Sequence, residues 1–282
     1  IEEVKIAHDL GVKHVRLGGM TDTYTYMAHG VKELEYPTPN PEPIAKLLHG
    51  LREDERLGIL HTDNGNPSII AEHLEASEEI TKTLVNTLSD GAVLSFGLES
   101  ADSAVHEANW LNWDPAQLKS AIRLINKYGA ERGPRGLPKL LPGLNFIAGL
   151  NGETATTYQQ NLELLKDIRS ENLLLRRINI RQVEGEGFQE IPEAEFNTFK
   201  QKVRDDIDTP LLEELFPKGG ILKQVRWESH NGRTRLPAHL NPPHTESDIR
   251  GKAGITFGRQ IGAYPILIGA EYLIPLETTS DI

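Results

Sequence analysis

The stretch Val93-Leu94-Ser95-Phe96-Gly97-Leu98-Glu99-Ser100 decides how the chain is read. Alternation puts Leu94, Phe96 and Leu98 on one face of a strand, and Ser95, Gly97 and Glu99 on the other. The run continues through Ala101 and Asp102 into a helical pattern, and Ser100 or Asp102 is the right residue type to cap that helix. The stretch is therefore one β/α unit. In parallel β/α proteins the chemistry collects where strands hand over to helices.

The same unit recurs outward in both directions. Strand patterns occupy residues 14–17, 58–62, 144–148 and 173–183, and helical patterns occupy residues 2–10, 44–56, 77–88, 114–128 and 156–170. Ser77 has capping-box spacing before the third of these helices; Asp114 and Pro115 form a cap and first-turn pair before the fourth. Such alternation predicts parallel strands joined by right-handed crossovers. One strand parity carries Val15, Leu17, Leu60, Leu94, Phe96, Leu98, Leu144, Phe146, Ala148, Ile178 and Ile180. The other carries His14, Arg16, His61, Asp63, Ser95, Glu99, Asn145, Arg177, Asn179 and Arg181. A closed barrel fills its interior with branched apolar side chains, and an unpaired charge there is costly. The polar parity thus predicts a partial, splayed barrel whose hollow is wet or holds a polar ligand. A doubly wound sheet with polar strand ends is the alternative.

With 282 residues the chain has room for one large α/β domain, or for a barrel and a small module. It has no cysteine, which excludes disulfides and thiolate metal sites within these residues. No apolar run is long enough to cross a bilayer, so no membrane partner is expected and the cytoplasm is the default location. The chain opens inside a helical pattern with no cap and no signal-like segment, which predicts the middle and end of a longer protein. Net charge is −11, yet residues 218–259 carry eight basic against three acidic residues. Pro217-Lys218-Gly219-Gly220 marks a boundary between an α/β part, residues 1–217, and a β-rich module, residues 218–282. A basic patch on an acidic body suits an anionic partner such as RNA, or simple solubility.

Three places resemble the radical S-adenosylmethionine (SAM) superfamily, over about residues 1–183. Leu17-Gly18-Gly19-Met20 resembles the turn that receives the SAM amino group. Phe96-Gly97-Leu98-Glu99-Ser100 resembles the fourth-strand motif that meets the ribose and carboxylate. Ile147-Ala148-Gly149-Leu150-Asn151-Gly152-Glu153-Thr154 resembles the fifth-strand turn of the methylthiotransferase and coproporphyrinogen-dehydrogenase-like branches. Archaeal members of undefined substrate share Gly-Leu-Asn-Phe, here Gly143 to Phe146, and the run Leu174 to Val183. They also share a Phe-Gly-Arg-Gln module, here Phe257 to Gln260, which is similar to a small RNA-binding β-barrel. The resemblance implies an α/β fold, a partial TIM-type (β/α)6 half-barrel lacking its first strand, with the small β-rich module at its C-terminal end. It implies SAM and a [4Fe–4S] cluster as cofactors, an electron donor as partner, and reductive cleavage of SAM to abstract hydrogen from an unknown substrate.

The departures are specific. The cluster-binding CxxxCxxC loop is absent, and its cysteines are expected upstream of Ile1. Met20 replaces the usual Glu, with Asp22 able to substitute; Asn151 replaces a Pro; and Glu184-Gly185-Glu186-Gly187 stands in place of a Gly-Thr-Pro turn. The implied cofactor-binding set is Gly18, Gly19, Glu99, Ser100, Asn145, Gly149, Asn179 and Arg181. Gly18 and Gly19 would let the backbone approach the methionine end, Gly149 and Gly152 would make room for adenine, and Arg181 could clamp a carboxylate or phosphate. Glu153 reads instead as a helix-capping residue. His8, His61, Asp63 and His73 match no metal-ligand spacing. Two further readings stay open: a β/α-barrel lyase or hydrolase without the cluster, and an RNA-binding protein acting through residues 218–259.

Overall fold

The computed structural model describes residues 1–111, 114–134, 136–183, 185, 187–216, 224–227, 256–260, 262–263, 266–270, 274–275 and 278–281. In chain order the α/β part runs α1 (Glu2–Asp9), β1 (Val15–Leu17), α2 (Pro41–Arg52), β2 (Leu60–Thr62), β3 (Asn64–Gly65), α3 (Pro67–Glu72), α4 (Leu74–Thr87), β4 (Ala92–Glu99), α5 (Ser103–Asn109), α6 (Pro115–Gly129), β5 (Leu140–Ala148), α7 (Ala155–Ser170), β6 (Ile178–Gln182), α8 (Glu193–Val203) and α9 (Thr209–Leu215), with a π turn at Arg204–Asp208.

Helix starts follow local chemistry. The Asp114 carboxylate accepts the Ala116 and Gln117 N–H groups ahead of α6, with Pro115 at its first position. Thr154 and Thr157 close a capping box on α7. Asn66, with Pro67 behind it, caps α3, a helix the sequence pattern does not predict. The capping box expected at Ser77 is not formed. Helix α4 already begins at Leu74, and Ser77 lies fully buried inside it. Ile69 and Ile70 on α3 and Ile80, Leu84 and Val85 on α4 are all buried. The fifth strand starts at Leu140, inside the expected connection, while residues 173–177 are irregular and the sixth strand begins only at Ile178. Glu153 is not the cap of α7: its carboxylate accepts the Gly149 N–H and the Tyr158 hydroxyl, each at 2.9 Å.

All strand pairs in this part are parallel: β1 with β2, β3 with β4, β4 with β5, and β5 with β6. Strands β2 and β3 are one strand interrupted at Asp63, whose carbonyl accepts the Ser95 N–H at 2.6 Å. The order across the sheet therefore follows the order along the chain. A doubly wound sheet reverses its order at a switch point, and no reversal occurs among the described strands. One core lies between the sheet and its helices. Leu60, Leu94, Phe96, Leu98, Leu144 and Phe146 pack there against Leu48, Leu84, Ile122, Leu165 and Phe199. Burying each such side chain stabilises the fold by about 1.5–3 kcal/mol.

The other face of the sheet is divided. Its N-terminal half is apolar and closed, with Val93 and Leu141 buried. This corrects the expectation of a hollow that is polar along its whole length. Helix α9 ends over that region: Leu215 and Phe216 line a small cavity with Gly91, Leu137, Leu141 and Gln260. Gln260 belongs to a second, antiparallel sheet in the order β10 (Thr279–Asp281), β7 (Gln224–Trp227), β8 (Thr256–Gln260), β9 (Leu267–Ala270). This sheet meets the parallel strands at their N-terminal ends. Most of the basic segment 218–259 lies outside the described residues. No helix among the described residues is long and apolar enough to cross a membrane.

Candidate ligand site on the open face

The C-terminal half of the same face is polar and partly open, and Glu99 is at its centre. The last turn of β4 is unusual. Its register against β5 shifts between Gly97 and Glu99, Glu99 has φ +61, and the Ser100 N–H donates back to the Leu98 carbonyl at 2.7 Å. A non-glycine residue at positive φ in so tight a turn costs roughly 1–3 kcal/mol, a strain that clusters at functional sites. The turn swings the carboxylate back over its own strand: a Cβ on Gly97 would sit 2.8 Å from Glu99 Oε1. Glycine at 97 thus leaves the space that Glu99 fills.

The turn is held from behind by α7. Asn161 accepts the Ala101 N–H at 2.6 Å, and the Thr157 hydroxyl donates to Asp102 at 2.5 Å. Ser100 belongs to this fastening. It is fully buried, and its hydroxyl is shared between the Asp102 N–H and Asn161. These anchors have no signal in the alternation pattern, because Asn161 and Thr157 sit on a helix more than fifty residues away in sequence.

Glu99 has an unmet demand. Its Oε2 is buried with no hydrogen-bond partner among the described residues. Burial pushes its pKa up from the usual carboxylate range, and only the Arg181 charge opposes this. Arg181 itself is exposed on β6. Beside Glu99 the register brings Gly97, Asn145 and Asn179 into one row, and the Asn179 amide donates to Asn145 Oδ1 at 3.2 Å. Farther along the face, Arg16 pairs with Asp63 at 2.5 Å, and His61 lies 3.2 Å from the same carboxylate. Burial holds His61 below the ordinary imidazole range, with Asp63 opposing the shift. His8 and His73 are engaged elsewhere, with Asp54 and the Tyr36 carbonyl.

The glycines separate into two kinds. A Cβ on Gly18 or Gly19 would meet nothing within 4 Å. Gly149 has φ +95, and a Cβ there would lie 2.5 Å from the Val183 carbonyl oxygen, so its smallness serves the packing of chain against chain. Gly149→Ala is expected to cost roughly 2–4 kcal/mol in a urea melt, and Gly18→Ala to stay within about 0.5 kcal/mol of the parent. Equal effects would contradict this division. The space over Gly18 and Gly19 and the Glu99 carboxylate lie at C-terminal strand ends, and the Asn145–Asn179 pair lies in the row of Gly97. Ser100 and Gly149 sit behind them as structure.

No protein-family model matches the chain. A protein of Archaeoglobus fulgidus is 40% identical over 279 residues, which is 95% of this chain and 48% of that protein. A protein of Methanocaldococcus jannaschii is 37% identical over the same length and the same 48% share. Both are described only as uncharacterized. The chain spans about half the length of these curated relatives. Among solved structures, coproporphyrinogen III oxidase from Escherichia coli, described as a radical SAM enzyme, aligns with 93% of this chain and 58% of its own. That alignment has 13% identity and a TM-score of 0.45, a likeness too loose to fix a fold.

Proposed function

We propose that this chain is most of a radical SAM half-barrel, and that its polar open face binds the adenosyl part of SAM. The observation that carries this is the Glu99 carboxylate, strained into place over Gly97 and left with a buried, unpartnered oxygen. A ribose diol supplies the donors such an oxygen lacks. Two further features support the reading. The strand order runs in sequence without reversal, as in a barrel. The Gly18-Gly19 turn leaves its backbone uncovered, as a cradle for the methionine end requires.

In this reading Glu99 accepts the ribose hydroxyls, Asn145 and Asn179 present amides to the ligand's polar edge, and Arg181 faces its carboxylate. With Met20 in the turn, the next carboxylate along the chain is Asp22, which is buried with Oδ2 unpartnered. SAM, when bound with its cluster and given an electron, supplies a 5′-deoxyadenosyl radical for hydrogen abstraction. The chain has no cysteine, so none of its residues offers a thiolate to a [4Fe–4S] cluster. An electron donor belongs to the same proposal. RNA is the substrate class that the β-rich module would suggest. However, the described strands of that module meet the sheet at the end opposite Glu99, so nucleic acid held there would not thereby reach the site.

The test is titration calorimetry with S-adenosylhomocysteine, which keeps the adenosyl group and needs no cluster. Saturable binding is expected, weakened about 10–100-fold by Glu99→Gln, the worth of a hydrogen bond to a charged group. Absence of binding, or equal affinity in the variant, would overturn the proposal.

A further inference from the structure

Two aromatic side chains stand exposed beside the turn between β5 and α7. Gln189 fastens one of their loops to it: its N–H donates to the Gly149 carbonyl at 3.1 Å, and its side-chain amide accepts the Gly152 N–H at 3.1 Å and donates to the Glu153 carbonyl at 2.5 Å. Asn109 fastens the other, donating to the Asn151 carbonyl at 2.7 Å and accepting the Asn151 N–H at 3.2 Å. Consecutive residues of one turn thus hold two separate loops, and each loop carries a large aromatic residue next to its anchor. Phe188 is 47% exposed and Trp110 is 91% exposed. Neither ring has an aromatic or cationic partner among the described residues. Trp110 ends α5 with φ +57, where glycine is the usual choice, so its bulk serves no need of the backbone. Large aromatic residues on a firmly held backbone are the type that concentrates contact energy at an interface.

Phe188 also forms one wall of a cleft of about 370 Å³, together with Val183, Gln189, Glu190, Ile191 and Glu193. The cleft is therefore apolar at Val183, Phe188 and Ile191, and carries two exposed carboxylates, neither of them in an ion pair among the described residues. The charge around it has one sign. Residues 103–114, 149–156 and 183–199, which supply both loops and the turn, contain no lysine or arginine, while Glu107, Asp114, Glu190, Glu193 and Glu195 are exposed. Such a surface repels the phosphates of RNA or of an anionic lipid layer. It attracts a lysine or arginine on two counts. The methylene stem packs on apolar side chains while the head reaches a carboxylate, and the cation is drawn to an aromatic face. Trp110 lies outside the cleft, so an occupant that uses both rings is longer than one side chain.

We propose that this cleft takes a lysine or arginine side chain of a basic polypeptide, whose neighbouring residues rest on Trp110. Phe188 and Ile191 hold the stem, and Glu190 and Glu193 meet the charge. The surface goes beyond the adenosyl reading and does not depend on it, since it uses none of the side chains assigned to that ligand.

The experiment titrates the full chain into a fluorescently labelled hexa-arginine peptide and, separately, into labelled hexauridylate, following anisotropy in sodium chloride at physiological strength. The salt screens the diffuse attraction of a chain with net charge −11. Saturable binding of the peptide and none of the nucleotide are expected. Phe188→Ala and Trp110→Ala should each weaken the peptide about threefold or more, and the double variant Glu190→Gln with Glu193→Gln about fivefold or more. All four side chains are exposed, so these variants keep the fold. Glu2→Gln with Glu3→Gln, on the exposed side of α1, removes the same charge elsewhere and should leave affinity within about twofold. Lack of peptide binding, or parental affinity in Phe188→Ala and in the Glu190 and Glu193 double variant, would overturn the proposal. Equal weakening by the α1 variant would also do so, since the attraction would then belong to the whole chain. Tighter binding of hexauridylate than of the peptide would replace the basic polypeptide with a nucleic acid.

Discussion

Asp22→Asn is expected to gain about 2.4 kcal/mol of stability over the parent on going from pH 4 to pH 8. Asp22 is 93% buried, and burial raises its pKa from 3.8 to about 6 against the pull of its hydrogen bonds. Those bonds all reach one oxygen or the backbone. Oδ1 accepts the N–H groups of Tyr24 and Asn66, at 3.1 and 3.0 Å, and Oδ2 has no partner among the described residues. The folded state thus prefers the neutral acid. The parent is most stable, as far as this group is concerned, below pH 3.8; it loses stability as pH rises to about 6 and stays at that level above. Asparagine keeps the Oδ1 acceptor and has no charge to bury, so its curve lacks that descent. Urea denaturation of both proteins at pH 4 and pH 8 measures the difference directly, and other titrating groups cancel between them. A gap between the two proteins that does not change with pH would show that Asp22 ionises freely. A cationic amine reaching Oδ2 would reverse the shift, so the pH profile should flatten when such a ligand binds.

The faces of the strands were legible in the sequence because a period of two has only one alternative, and Leu94, Phe96 and Leu98 leave no doubt which side is buried. Glu99 was legible as a polar strand end. Its position over Gly97 was not, since that depends on a left-handed φ and a register shift that alternation does not encode. The short helix α3 and the true start of α4 were hidden because Ser77 looks like a cap, and its burial comes only from tertiary packing. Arg177 could be placed on the polar face by counting along Leu174 to Val183. Local pattern therefore gave the elements and their faces, while long-range geometry made a site of them.

Phe96→Ala should be the most disruptive of the substitutions argued, costing about 3–5 kcal/mol, a large part of the roughly 5–15 kcal/mol available to a folded domain. Phe96 is fully buried on the helix-facing side of β4, directly before the glycine over which Glu99 folds. It packs against its parallel neighbour so closely that glycine is needed there: a Cβ on Gly65 would lie 3.1 Å from the Phe96 ring and 2.8 Å from Leu94. This pairing gives the prediction a second arm. Gly65→Ala alone overpacks the contact and should cost about 1–3 kcal/mol. In the Phe96→Ala background the ring is gone, Leu94 can move into the space, and the added methyl refills part of the cavity. The double variant should therefore be no less stable than Phe96→Ala, a non-additivity of at least about 1 kcal/mol in a urea-melt double-mutant cycle. Additive losses would mean that Gly65 is required by the backbone of β3 and not by Phe96. The strand pair that aligns Asn64 with Ser95 on the open face would then be fixed independently of the core beneath it.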